Sequence, residues 1–165
     1  MMPTPKYIPL TRGMFAIVDA EDFDRLNKYK WFANEGDGRW RAVRSGSVKN
    51  GEKITVHMHR EILDAPIGRE IDHINGNDLD NRKCNLRVST HMENMQNMKM
   101  HKDNKSGYKG VSRHQGRWQA YIRVDGKNTR IGMFGDRIEA ARAYDKAAID
   151  AFGRFAKVNF PVEAQ

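Results

Sequence analysis

The sequence predicts an α+β protein in two parts. A small β-rich N-terminal module leads into a strand–loop–strand–helix finger, and a three-stranded antiparallel sheet packed on one helix follows. Three observations predict it. Strand-like alternation of apolar and polar residues recurs along the chain, as from Arg39 to Arg44 and from Arg117 to Val124. Turn chemistry punctuates it at Asn50-Gly51, Asn75-Gly76-Asn77 and Asp125-Gly126. Helix starts are few, and two carry capping-box patterns, Thr90 to Glu93 and Asp136 to Glu139.

Residues 1–60 form the β-rich entry. Phe15 to Val18 is a short apolar run, and Asp22 to Trp31 has helical spacing with Phe23 and Leu26 on one side. Arg39–Arg44 reads as a strand, and the Asn50-Gly51 turn precedes a second strand over Ile54–Arg60. In that strand Ile54, Val56 and Met58 share one face and Thr55, His57 and His59 the other. His57 and His59 have chelating spacing, but a polar strand face is the simpler reading. The module's expected job is to pack against the finger, which is too small to bury a core of its own.

The finger is Ile71 to Asn97, and its density of Asp, Asn and His exceeds what ordinary core sequence carries, since each buried polar group needs a partner. Ile71 to Ile74 alternates as a half-buried strand, Asn85 to Val88 reads as a second strand, and a helix starts at Thr90 and runs to about Met100. This pattern suits one hydrated cation. A hard cation such as Mg²⁺ takes oxygen ligands and keeps several waters, so the Asp72 carboxylate and the Asn94 amide oxygen can suffice. His73 is then the candidate to activate water near neutral pH. Met95, Met98 and Met100 have the spacing of flexible core packing.

After a polar basic linker, residues 101–106, the second part runs over 107–161. Three strands are expected, over 107–114, 117–124 and 128–134, then a helix from Asp136 to about Phe152 that Gly153 stops. Trp118, Ala120, Ile122 and Val124 share one face of the middle strand, and Arg117, Gln119, Tyr121 and Arg123 the other. The small helix stripe of Ala140, Ala141, Tyr144, Ala147, Ala148 and Ala151 lets a sheet approach closely. A twisted sheet of this width can lie in the major groove of DNA.

Charge points the same way. The net charge is +8, and between Lys99 and Arg130 nine basic side chains stand against two acidic ones, a local +7. That concentration reads as a polyanion-binding surface. There is no apolar tract long enough to span a membrane, no secretory pattern in the first ten residues, and one cysteine, Cys84, so an intracellular, cytoplasmic setting in a host cell is expected.

Asp72-His73, Asn75-Gly-Asn77, Asp80-Asn-Arg82, Asn85-Leu-Arg87 and Glu93-Asn94 resemble the HNH endonuclease motif, in the phage homing-endonuclease branch that ends in Asn. The resemblance implies a ββα-metal finger over about residues 70–100. It makes His73 the general base, Asn85 the brace of the loop beside it, and Asp72 and Asn94 the ligands of one divalent cation, Mg²⁺ or Mn²⁺. Family members with structural zinc carry Cys pairs, so no structural zinc is expected here. Tyr108-Lys-Gly-Val111, Trp118 to Arg123, Ile131 to Phe134, Glu139 to Ala148 and Asn159-Phe-Pro161 are similar to the AP2/ERF domain. That likeness implies a DNA-facing set of Lys109, Ser112, His114, Arg117, Tyr121, Arg123, Asn128 and Arg130, to which Arg113 and Gln119 are added from the same strands. Plant members place other residue types where Ser112, Tyr121 and Arg130 stand, so the binding face carries over and the plant recognition sequence does not.

The expectation is therefore a nuclease domain over residues 1–100 and an AP2-like DNA-binding domain over 107–161. Together they make a site-specific, metal-dependent homing endonuclease on double-stranded DNA, monomeric, cutting one strand per visit. The alternatives are a non-cleaving sequence-specific regulator with a decayed HNH site and an RNA binder. Against the latter, no RNP-type aromatic platform is visible.

Overall fold

The computed structural model describes residues 4–48, 50–97, 100 and 103–161. The chain divides into two compact units, Met1–His91 and Met92–Gln165. The architecture is α+β, with four small antiparallel sheets and four α-helices among the described residues.

The first unit opens with a ribbon of β1 (Lys6–Pro9) and β2 (Phe15–Val18), then α1 (Ala20–Leu26). A three-stranded sheet follows, β3 (Phe32–Gly36), β4 (Arg39–Ser47) and β5 (Lys53–His57), with β4 central, and then α2 (Met58–Leu63). The hairpin β6 (Glu70–His73) and β7 (Leu86–Ser89) closes the unit, pairing Asp72 with Arg87 and His73 with Leu86. Ile8, Val18, Leu26, Trp31, Met58 and Leu86 meet in one core, so the hairpin shares the entry module's interior. Trp31 is 2% exposed and its indole N–H donates to the Leu26 carbonyl at 2.8 Å, which satisfies the one polar atom of that side chain.

Three expectations for this unit are corrected. The strand expected over Ile54–Arg60 ends at His57, and residues 58–63 are helical. Met58 there is fully buried, and the helix turns its apolar face into the core, so tertiary burial decides a stretch whose short period is ambiguous. His57 and His59 thus sit on different elements. Strands β1 and β3 have no counterpart in the sequence reading, and the helix expected near 22–31 begins at Ala20 and ends at Leu26.

The second unit begins within α3 (His91–Gln96). The expected continuation of that helix to Met100 runs through Met98 and Lys99, which with Lys102 lie outside the described residues. Met95 and Met100 are exposed, so neither is core packing. The sheet of β8 (Val111–His114), β9 (Arg117–Val124) and β10 (Lys127–Phe134) has β9 central, and α4 (Arg137–Phe152) packs on it. The first strand is shorter than expected, since residues 107–110 turn before it. Asp136 caps α4, accepting from the Ile138 and Glu139 amides at 2.7 and 3.1 Å. Ala140, Ala141 and Ala148 are fully buried, and Ala151 is exposed. A polar strap closes the unit. Buried Asp145 accepts from the Asn159 backbone and side chain and from the Phe160 amide, and Asn159 bonds both backbone groups of Lys109.

The turn before β8 meets α4 closely at Gly110, whose φ is +72°. A Cβ there would overlap the Tyr144 ring and lie 2.7 Å from the Tyr121 carbonyl oxygen. Gly110→Ala should therefore cost on the order of 3 kcal/mol, overpacking and left-handed backbone combined. Thermal unfolding of the full chain reads this directly, and a midpoint unchanged by the substitution would contradict the packing described.

Candidate functional site

The loop from Ile74 to Asn85 is built from its own polar side chains. Asn85 Oδ1 accepts from the Asn75 amide at 2.9 Å, and its Nδ2 donates to the Asp80 carbonyl at 2.7 Å. Asn75 Nδ2 donates to Asp80 Oδ2 at 2.9 Å, and Arg82 grips both Asp80 oxygens at 2.8 and 2.6 Å. Burial works against the Asp80 carboxylate, but the Arg82 hydrogen bonds and charge win and hold its pKa below the usual value. The outer limb of the loop is pinned to β2: the Ile17 amide donates to the Leu79 carbonyl and the Asn81 amide to the Ile17 carbonyl.

His73 and Asp72 end β6 at the mouth of this loop, 6% and 4% exposed. Asp72 is gripped by its register partner Arg87, whose Nε donates at 2.7 Å and whose Nη2 adds a second bond to the same oxygen. His73 has Asp78 Oδ1 4.0 Å from its Nδ1, and the edge of the His59 ring with centroids 5.2 Å apart. His57 stacks on His59, with ring centroids 5.3 Å apart. Burial pushes the His73 pKa below its ordinary value, while Asp78, a hydrogen bond with Asn81, Asp72 and Asp80 pull it back up. His59 is pushed down to about 3, by burial first and then by His73, His57, Arg41 and Arg60. His57 is lowered too, by burial and the same two arginines.

Among the described residues no group of three or more His, Cys, Asp or Glu side chains is arranged to hold a metal. Asp72 offers one hard oxygen donor of the kind a hydrated divalent cation takes, but its Oδ2 carries Arg87, which such an ion would have to share or displace. Such a donor suits an ion that keeps most of its water. Asn94 lies on α3 in the second unit, half-buried.

In the second unit the ladder register collects the DNA-facing candidates into rows. Ser112 pairs with Gln119, His114 with Arg117, Tyr121 with Arg130 and Arg123 with Asn128. His114, Arg117, Arg123, Asn128 and Arg130 are exposed. Two candidates depart from the rows. Arg113 pairs with Trp118 in register and lies over its ring at 5.4 Å. Lys109 donates its ammonium to the Gln96 carbonyl at 2.7 Å, and burial, then Lys157, pushes its pKa down to about 8.

The sequence reading missed Arg87, Asp78, Arg41 and His59 as neighbours of the site. Arg87 was findable, since the hairpin register that pairs His73 with Leu86 sets it opposite Asp72. Asp78 is held by Arg41, 37 positions away in sequence, and no local pattern gives that pairing.

A family described as HNH endonuclease matches residues 64–96. The chain is 29% identical over 154 residues to an uncharacterized HNH endonuclease of Acanthamoeba polyphaga mimivirus, covering 90% of this chain and 76% of that one. It is 35% identical over 94 residues to protein 3.8 of Escherichia phage T7, covering 56% of this chain and 77% of that protein. It is also 52% identical over 59 residues to an AP2-like ethylene-responsive transcription factor of Arabidopsis thaliana, covering 33% of this chain but only 11% of the plant protein.

The histidine cluster has a consequence for stability. The unfolded chain takes up a proton at His59 near pH 6.5, whereas the folded protein does so only near 3. Between those values the unfolded chain binds the extra proton, so stability is intact above 6.5 and falls as pH drops towards 3. The thermal midpoint should decline through that window, and His59→Gln should make the decline shallower. Identical slopes for the two proteins would contradict this assignment.

Proposed function

We propose, on the premise that the chain belongs to the HNH endonuclease family and is a nuclease, that it is a site-specific, metal-dependent DNA endonuclease of homing type. In this reading the second unit anchors duplex DNA while the Asp72–His73 site hydrolyses one phosphodiester per visit. The observation that carries it is His73: a buried imidazole at the end of β6, beside Asp72 and a loop braced by Asn85.

His73 accepts the proton of a water molecule as that oxygen attacks phosphorus, and the P–O3′ bond breaks to release the 3′ oxygen, which takes a proton from solvent to become a 3′-hydroxyl. Asp72, with Asn94 as the second ligand the motif assigns, would hold the divalent cation, Mg²⁺ or Mn²⁺. When bound, that cation supplies positive charge against the phosphate and the leaving oxygen. Asn85 keeps the loop from collapsing onto the imidazole. One such site cuts one strand, so a single chain nicks.

The exposed Arg117, Arg123 and Arg130 and the polar residues paired with them support major-groove reading by the sheet. The likeness to plant transcription factors supports a DNA-binding role for this segment. The ammonium of Lys109, tied to Gln96, contributes through the turn it holds more than through a free charge. The Asp72–Arg87 pair is the one observation that also suits a non-cleaving DNA-binding regulator.

Incubation of pooled viral genomic DNA with the protein and Mg²⁺, with mapping of broken ends, separates the two. Wild-type ends should cluster at one site, on one strand, and disappear with His73→Ala or chelator, while gel-shift binding persists and weakens with salt. Intact DNA in every lane with retained binding would leave the regulator.

A further inference from the structure

Asp78 takes part in neither the metal nor the loop-bracing role, yet it is a buried carboxylate, 7% exposed, with an arrangement a loop tether does not need. Arg39 and Arg41, two apart on β4 and therefore on one face, both reach it. Arg41 Nε donates to Asp78 Oδ2 at 3.1 Å, and Arg39 Nη1 lies 3.6 Å from Asp78 Oδ1. That same Oδ1 is the oxygen 4.0 Å from His73 Nδ1. The chain thus runs from the rigid three-stranded sheet, through two guanidiniums and one carboxylate, to the imidazole. All four side chains belong to the first unit.

We propose that Asp78 is a positioning residue for His73. Its carboxylate, fixed from β4 by Arg39 and Arg41, holds the imidazole with Nδ1 turned towards it, which leaves the opposite ring nitrogen, buried in the DNA-free protein, to act as the base. A carboxylate behind a working histidine fixes both ring orientation and tautomer. The 4.0 Å contact is longer than a hydrogen bond, and catalytic contacts of this kind tighten when substrate is bound. Two arginines on one carboxylate leave it little freedom to swing away, which is what a positioning group requires. This rests on the reading of His73 as the general base.

The test uses the full chain, supercoiled plasmid DNA and Mg²⁺, with wild type, His73→Ala, Asp78→Asn, Asp78→Glu and Arg41→Gln. Single-turnover nicking is followed against protein concentration, so that maximal rate and half-saturation separate. Asp78→Asn should lower the maximal rate about 10- to 100-fold at unchanged half-saturation, the range typical of groups that orient a working histidine. Asp78→Glu should recover part of it, and Arg41→Gln should lower the rate without adding to the Asp78→Asn loss when combined. The His73 ring-nitrogen NMR signals of the DNA-free protein should shift in Asp78→Asn. A maximal rate within twofold of wild type together with unmoved ring signals overturns the proposal. If Asp78→Asn does not fold, Arg41→Gln decides by the same two readouts. If wild type and His73→Ala nick equally, the general-base reading fails, and the ring signals alone still decide whether Asp78 holds His73.

Discussion

A polar loop can carry a buried histidine only if the loop's own backbone groups find partners, because each one left unpaired costs about 1–3 kcal/mol. Asn85 meets that constraint with one side chain. Its amide bonds the start of the loop at Asn75 and the middle at Asp80, while its own carbonyl accepts from Ile74. Asp80 then draws in Asn75 and Arg82, and the neighbouring limb joins β2 through Leu79 and Asn81. Remove the Asn85 amide and the start and middle of the loop lose their tie, and with them the wall against which His73 sits. Leu86, the next residue, enters the core of the entry module, so the loop's closing strand is anchored by burial as well.

Charge is handled differently in the two units. Carboxylates of the first unit are met individually: Asp72 by Arg87, Asp78 by Arg41 and Arg39, Asp80 by Arg82 and Asp22 by Arg25. Removing one member of the more buried pairs leaves an uncompensated charge, so these pairs fix geometry more than they add stability. In the second unit the arginines of the sheet stay exposed, and their nearest polar contacts are backbone carbonyls, as for Arg117 with Met133 and Arg123 with Gly126. Such a surface is open to a polyanion, whereas the buried carboxylates of the first unit are already paired.

Much of this was legible in the sequence for physical reasons. The β9 face of Trp118, Ala120 and Ile122, the Asp136 cap and the Gly153 stop each rest on local rules, of period, capping and backbone freedom, that tertiary context did not override. The hairpin of β6 and β7 was also readable, since its turn chemistry and strands are contiguous. What was not legible is long-range. Ile54 to Arg60 has a strand's period, yet Met58 is drawn into a core made by Ile8, Leu26 and Trp31, and the chain turns helical there. The neighbours of His73 come from α2 and, through Asp78, from β4, elements whose approach no local pattern encodes.

Chemical rescue is the sharpest test of whether the His73 imidazole takes the proton from water. His73→Gly removes the ring and its contact with Asn81 but leaves the Asn85 and Asp80 hydrogen bonds that hold the loop. With Mg²⁺ and plasmid DNA, nicking should be lost and should return in a dose-dependent way as imidazole is added. Nicking by His73→Gly at the wild-type rate without imidazole would contradict that role for His73.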